Sequence, residues 1–341
     1  MKMKKLVYLA ILLSVAIASC KNEDVEFPDF EYQAVYFAHQ NPVRTITFGE
    51  DIFDTSMDNE GRFKIMATTA GVYSNESRIT IGVSVLNELC DSLIFTEGNN
   101  DVLPLPSNYY TLESNEIVIP KGSITGGVEV QLTQDFFNDS LAISKNYVLP
   151  MLMESVNGAD SILSGVPLID GAKRTKPGDW VVQPKDYVLY AVKYINEWHG
   201  FYLRRGQDVM TGQIDSTIVR HEEYEENDEV NLLTTLSQSE LEFPLTFQDS
   251  SGNNITTTLI LTFDSEGRNC TVSSGTPGHS ASGTGVFVKD GEKNSWGNQD
   301  RDGLYLDYNV DLGAIQVSTV DTLVMRNRGV AFELFSPIYN N

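Results

Sequence analysis

The chain has 341 residues and sets 47 Asp and Glu against 24 Lys and Arg, a formal net charge of −23. Such acidity excludes nucleic acid and anionic lipid surfaces as partners, since both need basic patches. Four histidines and three cysteines, with no CxxC pair, argue against a His-rich or zinc-type metal site, and no stretch beyond the leader has the apolar length of a membrane span.

Lys2, Lys4 and Lys5 precede an apolar run over residues 6–17. The run falls short of the about 20 residues that a spanning helix needs, so it reads as a cleaved leader. Ile17-Ala18-Ser19-Cys20 resembles the bacterial lipobox, in which the cysteine is acylated and becomes the new N-terminus. This makes 1–19 a signal peptide and Cys20 the lipidation site, holding the protein on the outer membrane by lipid rather than by a helix. An ordinary secretory leader with an incidental cysteine is the alternative. Residues 20–30 then form a polar spacer, in which Lys21, Glu23 and Asp24 loosely resemble the surface-export signal of Bacteroidetes lipoproteins. That likeness points the protein toward the cell exterior.

From residue 32 onward the pattern is that of strands. Short runs rich in β-branched and aromatic residues at 34–37, 46–48, 63–69 and 79–86 are separated by Gly, Asn, Asp and Ser. Strands at 116–120, 127–132 and 147–154 follow, the last reading as a closing strand. Long helical periodicity is absent. The expectation is an immunoglobulin-like β-sandwich over 31–165. Gly165, Pro167, Gly171, Pro177, Gly178 and Pro184 break the pattern and mark a linker at 166–182, with Trp180 expected to staple the two domains. The remaining residues, 183–341, carry strands at 188–195, 200–203, 213–220, 232–236, 241–248, 255–263, 286–289, 303–309, 322–326 and 331–335. Their spacing is that of an up-and-down meander, so an all-β fold is expected, with a C-terminal antiparallel β-barrel or curved, lipocalin-like sandwich. Cys90 and Cys270 are far apart and read as buried free thiols.

Catalytic signatures are missing. Gly283-Thr284-Gly285 lacks the last glycine of a dinucleotide fingerprint, Gly278-His279-Ser280-Ala281-Ser282 lacks the second glycine of a nucleophile elbow, and His221-Glu222 has no second histidine at metalloprotease spacing. The acidic run Glu222, Glu223, Glu225, Glu226, Asp228 and Glu229 reads as a solvated hairpin loop, because contiguous carboxylates share one environment and a glycosidase needs two different ones. A weak calcium site at that run, or at Asp300-Arg301-Asp302-Gly303, is the sharper alternative; no other cofactor is expected. Trp296 sits in a strongly polar stretch, where an aromatic face among amides and carboxylates suits sugar rings. Trp296 with Asn294, Asn298 and Asp300 is therefore the candidate glycan site. A tryptophan folded over a barrel end is the competing reading. Trp198 is expected in the core.

Three segments carry a family resemblance in the first half. Leu105-Pro106-Ser107-Asn108-Tyr109-Tyr110, Ile117-Val118-Ile119-Pro120-Lys121-Gly122-Ser123 and Tyr147-Val148-Leu149-Pro150 resemble the N-terminal sandwich domain (the former DUF1735) of Bacteroides surface lipoproteins. Residues 191–200 and 321–329 resemble the C-terminal domain (the former DUF4361) that accompanies it in SusE-position lipoproteins. The resemblance implies a non-catalytic surface protein that captures oligosaccharide or polysaccharide beside a SusC/SusD-like, TonB-dependent transporter. A structural or assembly lipoprotein that contacts proteins and no sugar is the alternative, and a hydrolase with paired carboxylates a third.

Overall fold

The computed structural model describes residues 30–340. The leader and Cys20 lie outside the described residues. Among the described residues no helix is long and apolar enough to cross a membrane. The fold is all-β, as expected, with a sandwich-like sheet followed by a closed eight-stranded antiparallel barrel.

The sandwich strands are β1 (Ala34–Tyr36), β2 (Pro42–Thr47), β3 (Arg62–Ala70), β4 (Ile79–Val85), β5 (Glu116–Ile119), β6 (Thr125–Leu132), β7 (Tyr147–Asn157) and β8 (Tyr187–Ile195). They hydrogen-bond in the order β1-β3-β6-β5-β4-β7-β8-β2. Alternation drives this arrangement: in β3, Phe63, Ile65 and Ala67 are buried while Lys64 and Met66 face water. Their inward side chains share one core with Ile79, Ile117, Val128, Leu149 and Tyr194 from the other strands.

Several strands depart from the expectation: 269–274 is a strand that it lacked, 333–334 pairs with β2 of the sandwich, and β7 and β8 change place. β7, read as a closing strand, lies centrally between β4 and β8. β8, expected to open the C-terminal unit at 183–341, pairs with β7 and lies parallel to β2. The physical reason is burial on both faces: β7 and β8 are nearly continuous apolar runs. Val148, Leu189 and Ala191 pack away from the main core against Leu93, Phe95 and Phe335. A run buried on both faces carries no period that tells which sheet it joins. In the expected linker, Val166–Pro167 pairs with Trp180–Val182, and Trp180 donates its indole N–H to the Lys173 carbonyl at 2.8 Å. That bond stays inside the crossing segment.

The barrel is built from β9 (Gly200–Gly212), β10 (Ser216–Arg220), β11 (Glu229–Thr235), β12 (Glu240–Gln248), β13 (Asn254–Phe263), β14 (Asn269–Ser274), β15 (Ser280–Ser295), β16 (Gln299–Asp311) and β17 (Ile315–Asn327). β10 and β11 share one position in the eight-stranded wall, both pairing with β9; from β11 onward each strand pairs with the next, and β17 closes on β9 from Phe201↔Asn327 to Gly212↔Ile315. β10 and β11 run in succession beside the same strand, β9, with the acidic segment 221–228 looped out between them. Inward positions such as Phe243, Leu259, Leu306 and Leu323 fill the interior, so it is a packed core. Trp198 plugs one end, stacked on Phe263 at 3.8 Å and donating to the Gly267 carbonyl, as its core assignment anticipated. Cys90 and Cys270 are free and buried, and burial pushes both thiols up to about 12.

Candidate functional site

The hairpin between β15 and β16 carries the sequence-predicted residues. Its register slips between Val288 and Glu292 and again between Glu292 and Ser295. The chain passes through left-handed conformations at Asp290, Asn294, Gly297 and Asn298, with φ of 51°, 48°, 71° and 55°. Asparagine and glycine tolerate that region best, which explains the local composition. The result is a short turn, Trp296–Asn298, at the end of the hairpin.

Asp300 organises this hairpin. One carboxylate oxygen accepts the Asn294 backbone N–H at 3.1 Å, and the other accepts Lys293 Nζ at 2.8 Å. The Lys293 bond, then the Asn294 N–H, hold its carboxyl below the usual aspartate range. Asp302 accepts the Asp290 N–H at 2.8 Å. The two aspartates that resembled a calcium-loop fragment are thus engaged with the protein's own donors. Among the described residues no cluster of three His, Cys, Asp or Glu side chains is arranged to hold a metal ion.

Trp296 is half-buried. Its backbone carbonyl accepts Arg301 Nε at 2.9 Å, and the Arg326 guanidinium lies 5.3 Å from its ring centroid. That contact is a cation–π interaction on the indole ring.

The acidic loop forms the opposite wall. Contrary to a fully solvated loop, Asp228 is buried, bound by Arg205 Nε at 2.7 Å and by the Glu222 N–H at 3.1 Å. Glu225 accepts the Ser295 hydroxyl at 2.8–2.9 Å and lies 3.7 Å from Arg205. These bonds dock the loop onto the tryptophan hairpin. Between them runs a groove of about 590 Å³, lined by Trp296, Asn294, Asn298, Tyr224, Glu223 and Glu226 among others. Tyr224 is 57% exposed.

The structure therefore brings together three of the four predicted residues, Trp296, Asn294 and Asn298. It places Asp300 behind them as a brace, outside the groove lining. Sequence reasoning missed Tyr224 and the neighbouring carboxylates. The one available signal was an aromatic inside a run of glutamates, where solvation alone gives no reason for it. Chemically, the groove offers an aromatic face, a second ring, two amides and carboxylate acceptors.

Comparison with known proteins gives two family models. One, of an N-terminal domain, covers residues 30–160, and the other, a domain of unknown function (DUF5627), covers residues 197–329. The C-terminal match is thus to a different family from the former DUF4361 that the sequence resembles. A solved structure of a Bacteroides ovatus protein of unknown function is 46% identical, over 91% of this chain and 100% of that one, with a TM-score of 0.88. An auxiliary nutrient binding protein from Bacteroides thetaiotaomicron is 14% identical, over 85% of this chain and 95% of that one, with a TM-score of 0.38. Another Bacteroides ovatus protein of unknown function is 11% identical, over 89% and 99%, with a TM-score of 0.39. No curated protein matches.

Proposed function

The chain belongs to the family of the Bacteroides ovatus protein of unknown function that it matches along nearly its whole length, and from that premise we propose that it is a non-catalytic glycan-binding protein of the cell surface. One observation carries the reading: the groove at Trp296. The indole that lines this groove carries Arg326 over its ring and offers an aromatic surface on which the C–H face of a sugar ring can stack. Asn294 and Asn298 supply amide donors and acceptors, and Glu223 and Glu226 accept sugar hydroxyls.

In this reading Cys20 carries the lipid that tethers the protein to the outer membrane, facing outward, and the bound oligosaccharide passes to a SusC/SusD-like transporter. The SusE position belongs to the same proposal. Tethering raises local concentration, so modest affinity suffices.

The test is titration calorimetry and glycan-array binding with the soluble chain beginning at Lys21. Wild type should bind one class of oligosaccharide, and Trp296→Ala should weaken that binding at least about tenfold, the loss of about 1.4 kcal/mol expected from a stacked ring. Absence of binding to every plant, host and microbial glycan would remove the proposal. A different reading, a lipoprotein that assembles with proteins and no sugar, draws on the exposed apolar side chains Val166, Leu168, Ile169, Val181 and Val182 of the crossing hairpin. It predicts a complex that survives Trp296→Ala.

A further inference from the structure

The closed barrel wall is thinnest where β11 and β12 splay apart beyond their turn. These two strands pair only at Thr234↔Glu242 and Thr235↔Leu241. β12 pairs with β13 over its whole length, from Glu240↔Thr262 to Gln248↔Asn254. β10 pairs with β9 alone. Between β10 and the far part of β12 lies a slit of about 420 Å³, within the range of small-molecule sites. Ile218 shows that it reaches the interior. Ile218 is paired with Asp208 and so shares its inward face, yet Ile218 is 47% exposed while Asp208 is 4% exposed.

The floor of the slit is ionic. Arg204 Nε donates to Asp321 at 3.0 Å, and Tyr308 OH donates to the same carboxylate oxygen at 2.7 Å. Thr319 donates to Asp208 at 2.7 Å, and the terminal nitrogens of Arg220 bridge Asp208 and Asp321. Arg220 Nε is buried without a partner. Glu229 lies 3.4 Å from Arg204 and is half exposed. Two guanidiniums thus face three carboxylates, which disfavours a free anion. The exposed Glu229 carboxylate on the slit wall disfavours a purely apolar guest.

We propose that this slit is a second sugar site, separate from the Trp296 groove, that takes a single neutral monosaccharide unit. Sugar hydroxyls donate to the half-exposed Glu229 carboxylate and to strand carbonyls on the slit edges. The C–H face of the ring packs on Ile218 and Phe247. One loop serves both sites: Arg220 and Glu229 at its ends line the slit, and Tyr224 at its middle lines the groove. The inference rests on the reading of the protein as a glycan binder and adds the place and size of a further subsite.

The experiment uses the soluble chain, with glucose, galactose, mannose, xylose, arabinose and N-acetylglucosamine as probes, read by saturation-transfer NMR and calorimetry. Trp296→Ala removes the groove's platform. Sugar binding that persists in Trp296→Ala, and falls at least about tenfold when Ile218→Trp is added to fill the slit, is the expected result. Ser216→Tyr, at the rim, should do the same if Ile218→Trp lowers the melting temperature. Binding that vanishes with Trp296→Ala alone, or survives both slit variants, overturns the second site and leaves the proposed function standing. Wild type that binds neither monosaccharide nor oligosaccharide overturns both.

Discussion

Arg328 joins the two halves of the molecule through backbone atoms. Its guanidinium donates to the carbonyls of His199, at 2.6 Å, Glu50, at 3.1 Å, and Phe48, at 3.0 Å, and also to Asn196. Phe48 and Glu50 follow β2 of the sandwich, whereas Asn196 and His199 lead into the barrel and Arg328 leaves it. The side chain is 6% exposed, so its loss strands four carbonyls at the joint. Arg328→Ala should cost about 3–5 kcal/mol, and Arg328→Lys should recover little, since an ammonium cannot reach four acceptors spread around a planar fork. Denaturant unfolding of the three proteins measures both. His199 belongs to the same joint. Its Nδ1 accepts the Thr235 N–H at 3.1 Å, and burial, with Arg328 and Lys193 nearby, lowers its pKa to about 4. The unfolded chain, with an ordinary histidine near 6.5, therefore binds the proton more readily than the folded one. Stability from this group is complete above pH 6.5 and is lost as pH falls toward 4, by on the order of 2 kcal/mol. Melting curves across that window should slope less in His199→Gln than in wild type; equal slopes would show that His199 titrates normally.

At the scale of elements, the barrel depends on glycines where strands press together. A Cβ on Gly283 would meet the Asp307 carbonyl oxygen and Tyr308 Cβ at 2.4 Å each, with backbone on one side. Gly283→Val should therefore destabilise the barrel by about 2–4 kcal/mol, a fall of roughly 5–10 °C in melting temperature. Gly313→Ala, with open space around it but φ of 88°, should cost only about 1 kcal/mol. The sequence showed strands at 286–289, 303–309 and 322–326, which are parts of the longer β15, β16 and β17; in β17, inward Ile315, Val317, Leu323 and Met325 alternate with solvent-facing partners over most of the strand. It did not show which sheet 187–195 would join, because Val188, Leu189, Ala191 and Val192 are apolar on both faces. The groove was half legible for a related reason. Trp296, Asn294 and Asn298 share one hairpin and announce themselves by local polarity, whereas the wall they face comes from a loop 70 residues away, as the Ser295–Glu225 bond shows. Nothing local in that loop records a docking partner so distant in sequence.

Across the whole molecule, the barrel is an excursion out of the sandwich. The chain leaves through β8, closes the barrel, passes Arg328 and returns. Glu333–Leu334 then pairs with β2, and Pro337–Tyr339 pairs with Leu93–Phe95. Phe335 packs on Phe95 at 5.0 Å, Glu333 takes Lys193 at 3.0 Å together with Lys145, and the Tyr339 hydroxyl meets Thr175 at 2.7 Å. With both ends of the barrel held on one sandwich, the groove and the slit keep a fixed position relative to the N-terminal strands from which any lipid tether would run. Ending the chain at Val330 leaves every barrel strand intact and strips the tail from the sandwich. Burial of Phe335 alone is worth about 2–3 kcal/mol, and two edge pairings are lost with it. Calorimetric unfolding of wild type should give one transition, because the halves share Arg328 and the tail. The shortened chain should give two, with the sandwich melting first. The sugar binding proposed at Trp296 should survive in that protein below its first transition, since every residue of the groove lies on the barrel; loss of binding together with the tail would show that the sandwich shapes the groove.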